Sequence, residues 1–73
     1  MNEIEMMKLD MARGIASLLM QDDSNLTMEQ ALAIVFNSDT YQRVLDESTR
    51  LYYQSPRYVY AFLKDELTYG KVC

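Results

Sequence analysis

The sequence predicts an all-α domain, a compact bundle of about four helices. Apolar residues recur at helical spacing in four segments, and residues that cap or end helices separate these segments. Residues 48–54 contain β-forming side chains, but no second stretch of that kind is present to pair with them. The chain has 73 residues, which suits one domain, and we assign residues 1–73 to it.

The first predicted helix covers residues 3–21, which contain no proline. One of its apolar stripes is assigned to the core, and its central members are Met7, Met11 and Leu18. A second stripe lies on another side of the helix and consists of Met6, Leu9, Ala16 and Met20, with Arg13 among them. Because a small core covers one side of a helix, we expect the second stripe to form an exposed apolar patch that binds a partner.

The second predicted helix covers residues 28–37 and the third covers residues 39–47. Thr27 is a suitable N-cap for the second helix, and Gln30 completes a capping box with it. Either Ser38 or Asp39 can cap the third helix. The core positions predicted on these two helices are Leu32, Val35, Phe36 and Leu45.

The fourth predicted helix covers residues 56–68. Ser55 is placed to cap it, Pro56 suits the first helical position, and Gly70 can end it in a left-handed conformation. Its predicted core positions are Val59, Phe62 and Leu63, whereas Arg57 and Lys64 are expected on a solvated ridge. We predict that the connector at 48–54 is extended or helical in part.

Glu66 falls inside the apolar stripe of the fourth helix, so its carboxylate requires a partner or solvent. Two alternatives remain open from the sequence. In the first, Glu66 is buried and pairs with Arg13 or with a tyrosine hydroxyl. In the second, it lies near a frayed helix end and reaches water.

Composition argues against catalysis and against cofactor or metal binding. The chain has no histidine for general-base chemistry, only two glycines, and one cysteine, Cys73. A lone cysteine cannot form an internal disulfide, and a Cys/His zinc site lacks its ligands. We therefore expect a protein that is not an enzyme and that binds no cofactor and no metal.

The same composition indicates a cytoplasmic protein with no membrane partner. A secretory signal needs a basic flank and an apolar core, but the N-terminus carries Glu3, Glu5 and Asp10. No apolar run approaches the length of about 20 residues that a membrane span needs. A chain with no disulfide fits a reducing compartment.

Nucleic acid is not a favoured partner, because the net charge is −4 and affinity for phosphate comes from cations. An alternative hypothesis remains: residues 27–48 resemble a helix-turn-helix DNA-binding motif. That motif here places Phe36 and Asn37 in the turn, where glycine is usual. It would also bring Asp39 and Asp46 towards the phosphates, with Arg43 as the only opposing cation of the motif.

The segment "NSDTYQRVLDESTRLYYQSPRYVYAFLKDEL" resembles small uncharacterised bacterial all-helical proteins with the pattern S-x-T-Y…T-x-L-Y-x-x-S…Y-V-Y-x-x-L-x-x-E-L. The matching positions are Ser38, Thr40, Tyr41, Thr49, Leu51, Tyr52, Ser55, Tyr58, Val59, Tyr60, Leu63, Glu66 and Leu67. Because such proteins occur beside toxin-like or other small orphan genes, the resemblance implies an antitoxin or an adaptor. It assigns no activity to any residue.

These observations together lead to one functional hypothesis. We expect a non-enzymatic protein-interaction module that acts as a homodimer or as a small antitoxin-like or adaptor-like subunit. Its expected binding surface is the second apolar stripe of the first helix.

Overall fold

The computed structural model describes residues 2–70, which fold into four α-helices. These are α1 (Glu3–Asp22), α2 (Met28–Phe36), α3 (Asp39–Leu45) and α4 (Pro56–Tyr69). Two short 3₁₀ turns, Glu47–Thr49 and Leu51–Tyr53, connect α3 to α4. The described range contains no strand, so the predicted all-α bundle of about four helices is confirmed. Cys73, the single cysteine of the chain, lies outside the described residues.

Local capping chemistry sets the helix ends. The Thr27 hydroxyl accepts a hydrogen bond from the Gln30 backbone N–H, and the Gln30 side chain accepts one from the Thr27 N–H, which confirms the predicted capping box. Ser38, rather than Asp39, caps α3. Ser55 caps α4 with Pro56 at its start, and Gly70 ends α4 with a φ of 83°.

The connector between α3 and α4 is not extended. Asp46 ends α3 two residues earlier than expected, because its side chain accepts hydrogen bonds from the backbone N–H and the hydroxyl of Ser48. Arg50 joins the two 3₁₀ turns in a left-handed conformation with a φ of 55°. The second turn contacts α1, and Tyr52 is buried there.

The core is centred on α1, because α2, α3, α4 and the second 3₁₀ turn all contact this helix. The largest fully buried apolar side chains are Ile15, Val35, Val44, Val59 and Leu63. Of the remaining predicted core positions, Met11 is also buried, and Met7, Leu18 and Leu32 are partly buried against this cluster. Ala12 and Leu19 are buried on α1 between the two predicted stripes.

The prediction was wrong for Phe36 and Leu45, which are 44% and 41% exposed. Each is the last residue of a short helix, so the chain turns away immediately after it and no later turn covers the side chain. Phe62 is only partly buried, with its ring edge against Tyr58 at 5.5 Å between centroids. On α4 the buried side chains are Val59, Tyr60 and Leu63. The inner face is therefore centred on Leu63, and Phe62 lies about 100° around the helix from it.

Gly14 allows α1 and α4 to approach closely. A Cβ atom added at Gly14 would lie 2.6 Å from Cγ and 2.8 Å from Cβ of Pro56. The Pro56 ring is rigid, so a larger residue at position 14 would force the helices apart. Within residues 2–70, no helix has the length and apolar character needed to cross a membrane.

Candidate functional site

The predicted second stripe of α1 is not a single exposed patch. Ala16 is 0% exposed, and Met20 packs against the core cluster, so these two residues belong to the interior. Met6 is 55% exposed, and Arg13 is exposed with its guanidinium 3.4 Å from the Asp10 carboxylate. The second stripe is partly buried, contrary to the prediction, because several elements surround α1 and cover more than one of its sides.

Leu9 lies in an open groove between α1 and α3. The groove has a volume of about 290 Å³ and is lined by Glu5, Lys8, Leu9, Tyr41 and Leu45. We call it the Leu9 groove. Leu9, Tyr41 and Leu45 supply apolar surface from two helices that are distant in sequence, and the charged groups of Glu5 and Lys8 come from α1 alone.

Contacts with Lys8 of α1 hold the α3 wall and the two 3₁₀ turns that follow it. The Tyr41 hydroxyl donates a hydrogen bond of 3.2 Å to the backbone carbonyl of Lys8. Burial raises the pKa of this hydroxyl, so it remains a neutral donor. The Lys8 ammonium lies 3.2 Å from the Glu47 carboxylate and 5.9 Å from the centre of the Tyr52 ring.

Phe36 extends the apolar surface beyond the groove. Its ring meets the Tyr41 ring edge to face, with 5.3 Å between centroids. Tyr41 therefore connects the exposed ring of Phe36 with the lining of the Leu9 groove. Sequence reasoning found Leu9 but assigned Leu45 to the core. The position of Leu45 directly before the helix-ending Asp46 was the signal that could have corrected this assignment.

Glu66 on α4 holds the N-terminal end of α3. Its carboxylate accepts hydrogen bonds from the backbone N–H groups of Asp39 (2.9 Å) and Thr40 (2.8 Å) and from the Thr40 hydroxyl (2.8 Å). Neither predicted partner, Arg13 or a tyrosine hydroxyl, makes this contact. Partial burial alone would raise the pKa of Glu66, but these hydrogen bonds together lower it below its ordinary value of 4.5.

This arrangement is an open groove with apolar side chains from both helices and charged groups on the α1 side. Burial of apolar surface is the main source of affinity in protein interfaces, and aromatic side chains contribute strongly. Residues 2–70 contain no cluster of three or more side chains suited to hold a metal ion. No protein-family model matches the chain, and neither a curated protein nor a solved structure matches it.

Proposed function

We propose that this chain is a non-enzymatic protein-interaction module that binds its partner through the Leu9 groove. The observation that carries the proposal is the convergence of Leu9, Tyr41 and Leu45 in one open groove. The module acts in the cytoplasm, as a homodimer or as a small antitoxin-like or adaptor-like subunit. No membrane, nucleic acid or cofactor takes part.

Exposure of the residues around the groove supports this proposal. Leu45 and Phe36 each leave more than two fifths of their surface open to solvent, although both are large and apolar. Phe36 contacts Tyr41, and Leu45 lines the groove together with Tyr41. Exposed apolar side chains grouped in this way are typical of binding surfaces. A partner that inserts one or two apolar side chains between Leu9 and Leu45 would remove this surface from water.

A second copy of the chain is the partner that we propose first. In a two-fold symmetric dimer the same surface of each subunit faces the other, so a surface must complement itself. Each copy offers the recess of the Leu9 groove and, next to Tyr41, the exposed ring of Phe36. In the proposed dimer the Phe36 ring of one copy enters the groove of the other.

The helix-turn-helix alternative has less support. In that motif the N-terminal end of the second helix approaches the DNA, and here that helix would be α3. The Glu66 carboxylate already occupies the first backbone N–H groups of α3, and Asp39 is exposed beside them. Two carboxylates at this end would repel phosphate.

The test compares two leucine variants by light scattering after size-exclusion chromatography. Leu45→Glu places a charge in the groove, and Leu67→Glu is the matched control because Leu67 is 52% exposed on α4 outside the groove lining. We expect a dimer for the wild type and for Leu67→Glu, and a folded monomer with retained helical circular dichroism for Leu45→Glu. A dimer that persists in Leu45→Glu would contradict binding of a second copy at this groove.

A monomeric wild type would move the test to heteromeric partners. In that case tagged wild type, Leu45→Glu and Leu67→Glu are compared for co-purifying proteins from the native cells. The proposal requires a protein that wild type and Leu67→Glu retain and that Leu45→Glu loses. If all three variants retain the same proteins, the Leu9 groove is not the binding surface.

A further inference from the structure

A second groove lies between the C-terminal half of α1 and the first turns of α4. Its volume is about 220 Å³, and we call it the Arg57 groove. Its lining includes Leu18 and Asp22 from α1 together with Arg57, Tyr60, Ala61 and Lys64 from α4. The sequence predicts that Arg57 and Lys64 lie on a solvated ridge. Both are indeed exposed, but they also form one wall of this groove.

Asp22, Tyr60 and Lys64 satisfy one another inside the groove. The Tyr60 hydroxyl donates a hydrogen bond to the Asp22 carboxylate, and the Lys64 ammonium lies 3.8 Å from the same carboxylate. The ammonium also lies 5.9 Å from the centre of the Tyr60 ring. Burial, the hydrogen bond to Asp22 and the charge of Asp22 raise the pKa of Tyr60 to about 12, so the hydroxyl remains a donor. The negative charge of Asp22 is therefore offset by Lys64.

Arg57 has no comparable partner among residues 2–70. It makes no salt bridge and no side-chain hydrogen bond with any of them. It also lies in the first turn of α4, where the partial positive charge of the helix end disfavours a cation, and that turn contains no acidic residue. The guanidinium thus contributes little to the fold and keeps its donors available.

We propose that the Arg57 groove binds an acidic side chain of a protein partner, with the guanidinium of Arg57 as its anchor. Arginine matches a carboxylate through two parallel hydrogen bonds, and the apolar surface of Leu18 and Ala61 accommodates a neighbouring apolar side chain. The groove is smaller than the roughly 300 to 1,000 Å³ of typical small-molecule pockets, so it fits one or two side chains. This site is separate from the Leu9 groove, and neither depends on the other.

The experiment uses the tripeptide acetyl-Glu-Leu-Glu-amide as the probe and acetyl-Gln-Leu-Gln-amide as its uncharged counterpart. Each is titrated into isotope-labelled protein while backbone amide chemical shifts are followed. We expect the acidic peptide to shift the amides of residues 18–22 and 57–64, with weaker affinity at higher salt. The glutamine peptide should shift them little.

Two variants with the same change of charge test the anchor. Arg57→Gln should weaken binding of the acidic peptide by about tenfold, because it removes the charge-assisted hydrogen bonds. Arg43→Gln removes a cation of α3 and should bind as the wild type does. Both side chains are exposed, so both variants should fold.

Three outcomes would overturn the proposal. The first is equal binding of the acidic and the glutamine peptides at these residues. The second is an unchanged affinity in Arg57→Gln. The third is that inorganic phosphate shifts the same amides and binds at least as tightly as the acidic peptide. That result would indicate a site for small anions instead.

Discussion

The two grooves beside α1 differ in what holds their second wall in place. The α3 wall of the Leu9 groove belongs to a helix of seven residues. Its first backbone N–H groups donate to the Glu66 carboxylate of α4, and its Tyr41 hydroxyl donates to the Lys8 carbonyl of α1. The α4 wall of the Arg57 groove belongs to a helix of 14 residues that buries Val59, Tyr60 and Leu63. Both helices bury side chains in the core, including Val44 on α3, but the start of α3 also depends on three hydrogen bonds to one carboxylate. A fall in pH that protonates Glu66 should therefore loosen the α3 wall of the Leu9 groove.

The largest effect that follows from this comparison is expected at Glu66. Glu66→Gln replaces one carboxylate oxygen with an amide donor that faces backbone N–H groups. Hydrogen bonds to a charged group contribute about 1.5 to 3 kcal/mol each, and a buried donor left unsatisfied costs a similar amount. We expect the free energy of unfolding at neutral pH to fall by about 2 kcal/mol, measured by urea denaturation.

The pH dependence of this variant tests the same contact. The folded-state pKa of Glu66 is lowered, so its contribution is fully present above its ordinary value of 4.5 and is lost as the pH falls through the folded pKa. The stability difference between wild type and Glu66→Gln should therefore shrink in acid. The pKa of Asp46 is also lowered, by the hydrogen bonds that its carboxylate accepts from Ser48. Asp46 is present in both proteins, so its effect on stability cancels in the difference. A difference that is constant down to low pH would show that the Glu66 charge makes no contribution.

Glu66 also shows where prediction from the sequence reaches its limit. Its partners lie 26 and 27 positions away in the chain, and helical periodicity carries no information about contacts at that distance. The caps at Thr27 and Ser55 were predictable because each joins groups three residues apart. The same locality explains why the predicted helix bounds lie within two residues of the observed ones.

The candidate site was predictable only in part. Leu9 was identified because it is apolar on a side of α1 away from the assigned core stripe, but nothing in the sequence pairs it with Leu45. In α1 the apolar residues surround most of the helix, so periodicity could not locate the centre of the buried face, which Ala12 and Leu19 occupy. In helices as short as α2 and α3, a single turn at the end decides whether Phe36 or Leu45 is covered.

The packing that holds α4 is tested by Gly14→Ala. The new methyl group would clash with the Pro56 ring, which costs about 1 to 3 kcal/mol, whereas alanine in place of glycine inside a helix is worth about 1 kcal/mol. We expect a net loss of about 1 kcal/mol in the free energy of unfolding. The loss should be independent of pH between neutral and mildly acidic conditions, in contrast to that of Glu66→Gln.

A double-mutant cycle identifies the cause of this loss. Pro56→Gly removes both atoms that the new methyl group would meet. In the Pro56→Gly background, Gly14→Ala should no longer destabilise the protein, because the helix propensity of alanine is then unopposed. If Gly14→Ala costs the same in both backgrounds, the close approach to Pro56 is not the reason for glycine at position 14.

The smallest expected effect is the difference between the two serine caps, Ser38 on α3 and Ser55 on α4. Ser38 is buried, and its hydroxyl accepts from the Tyr41 N–H (3.0 Å) and donates to the Val35 carbonyl (2.6 Å). Ser55 is exposed and accepts only from the Tyr58 N–H (3.2 Å), where water can replace it. Ser38→Ala should therefore cost about 1 to 2 kcal/mol and Ser55→Ala about 0.5 to 1 kcal/mol in urea denaturation. Equal costs would contradict the greater dependence of α3 on buried polar contacts.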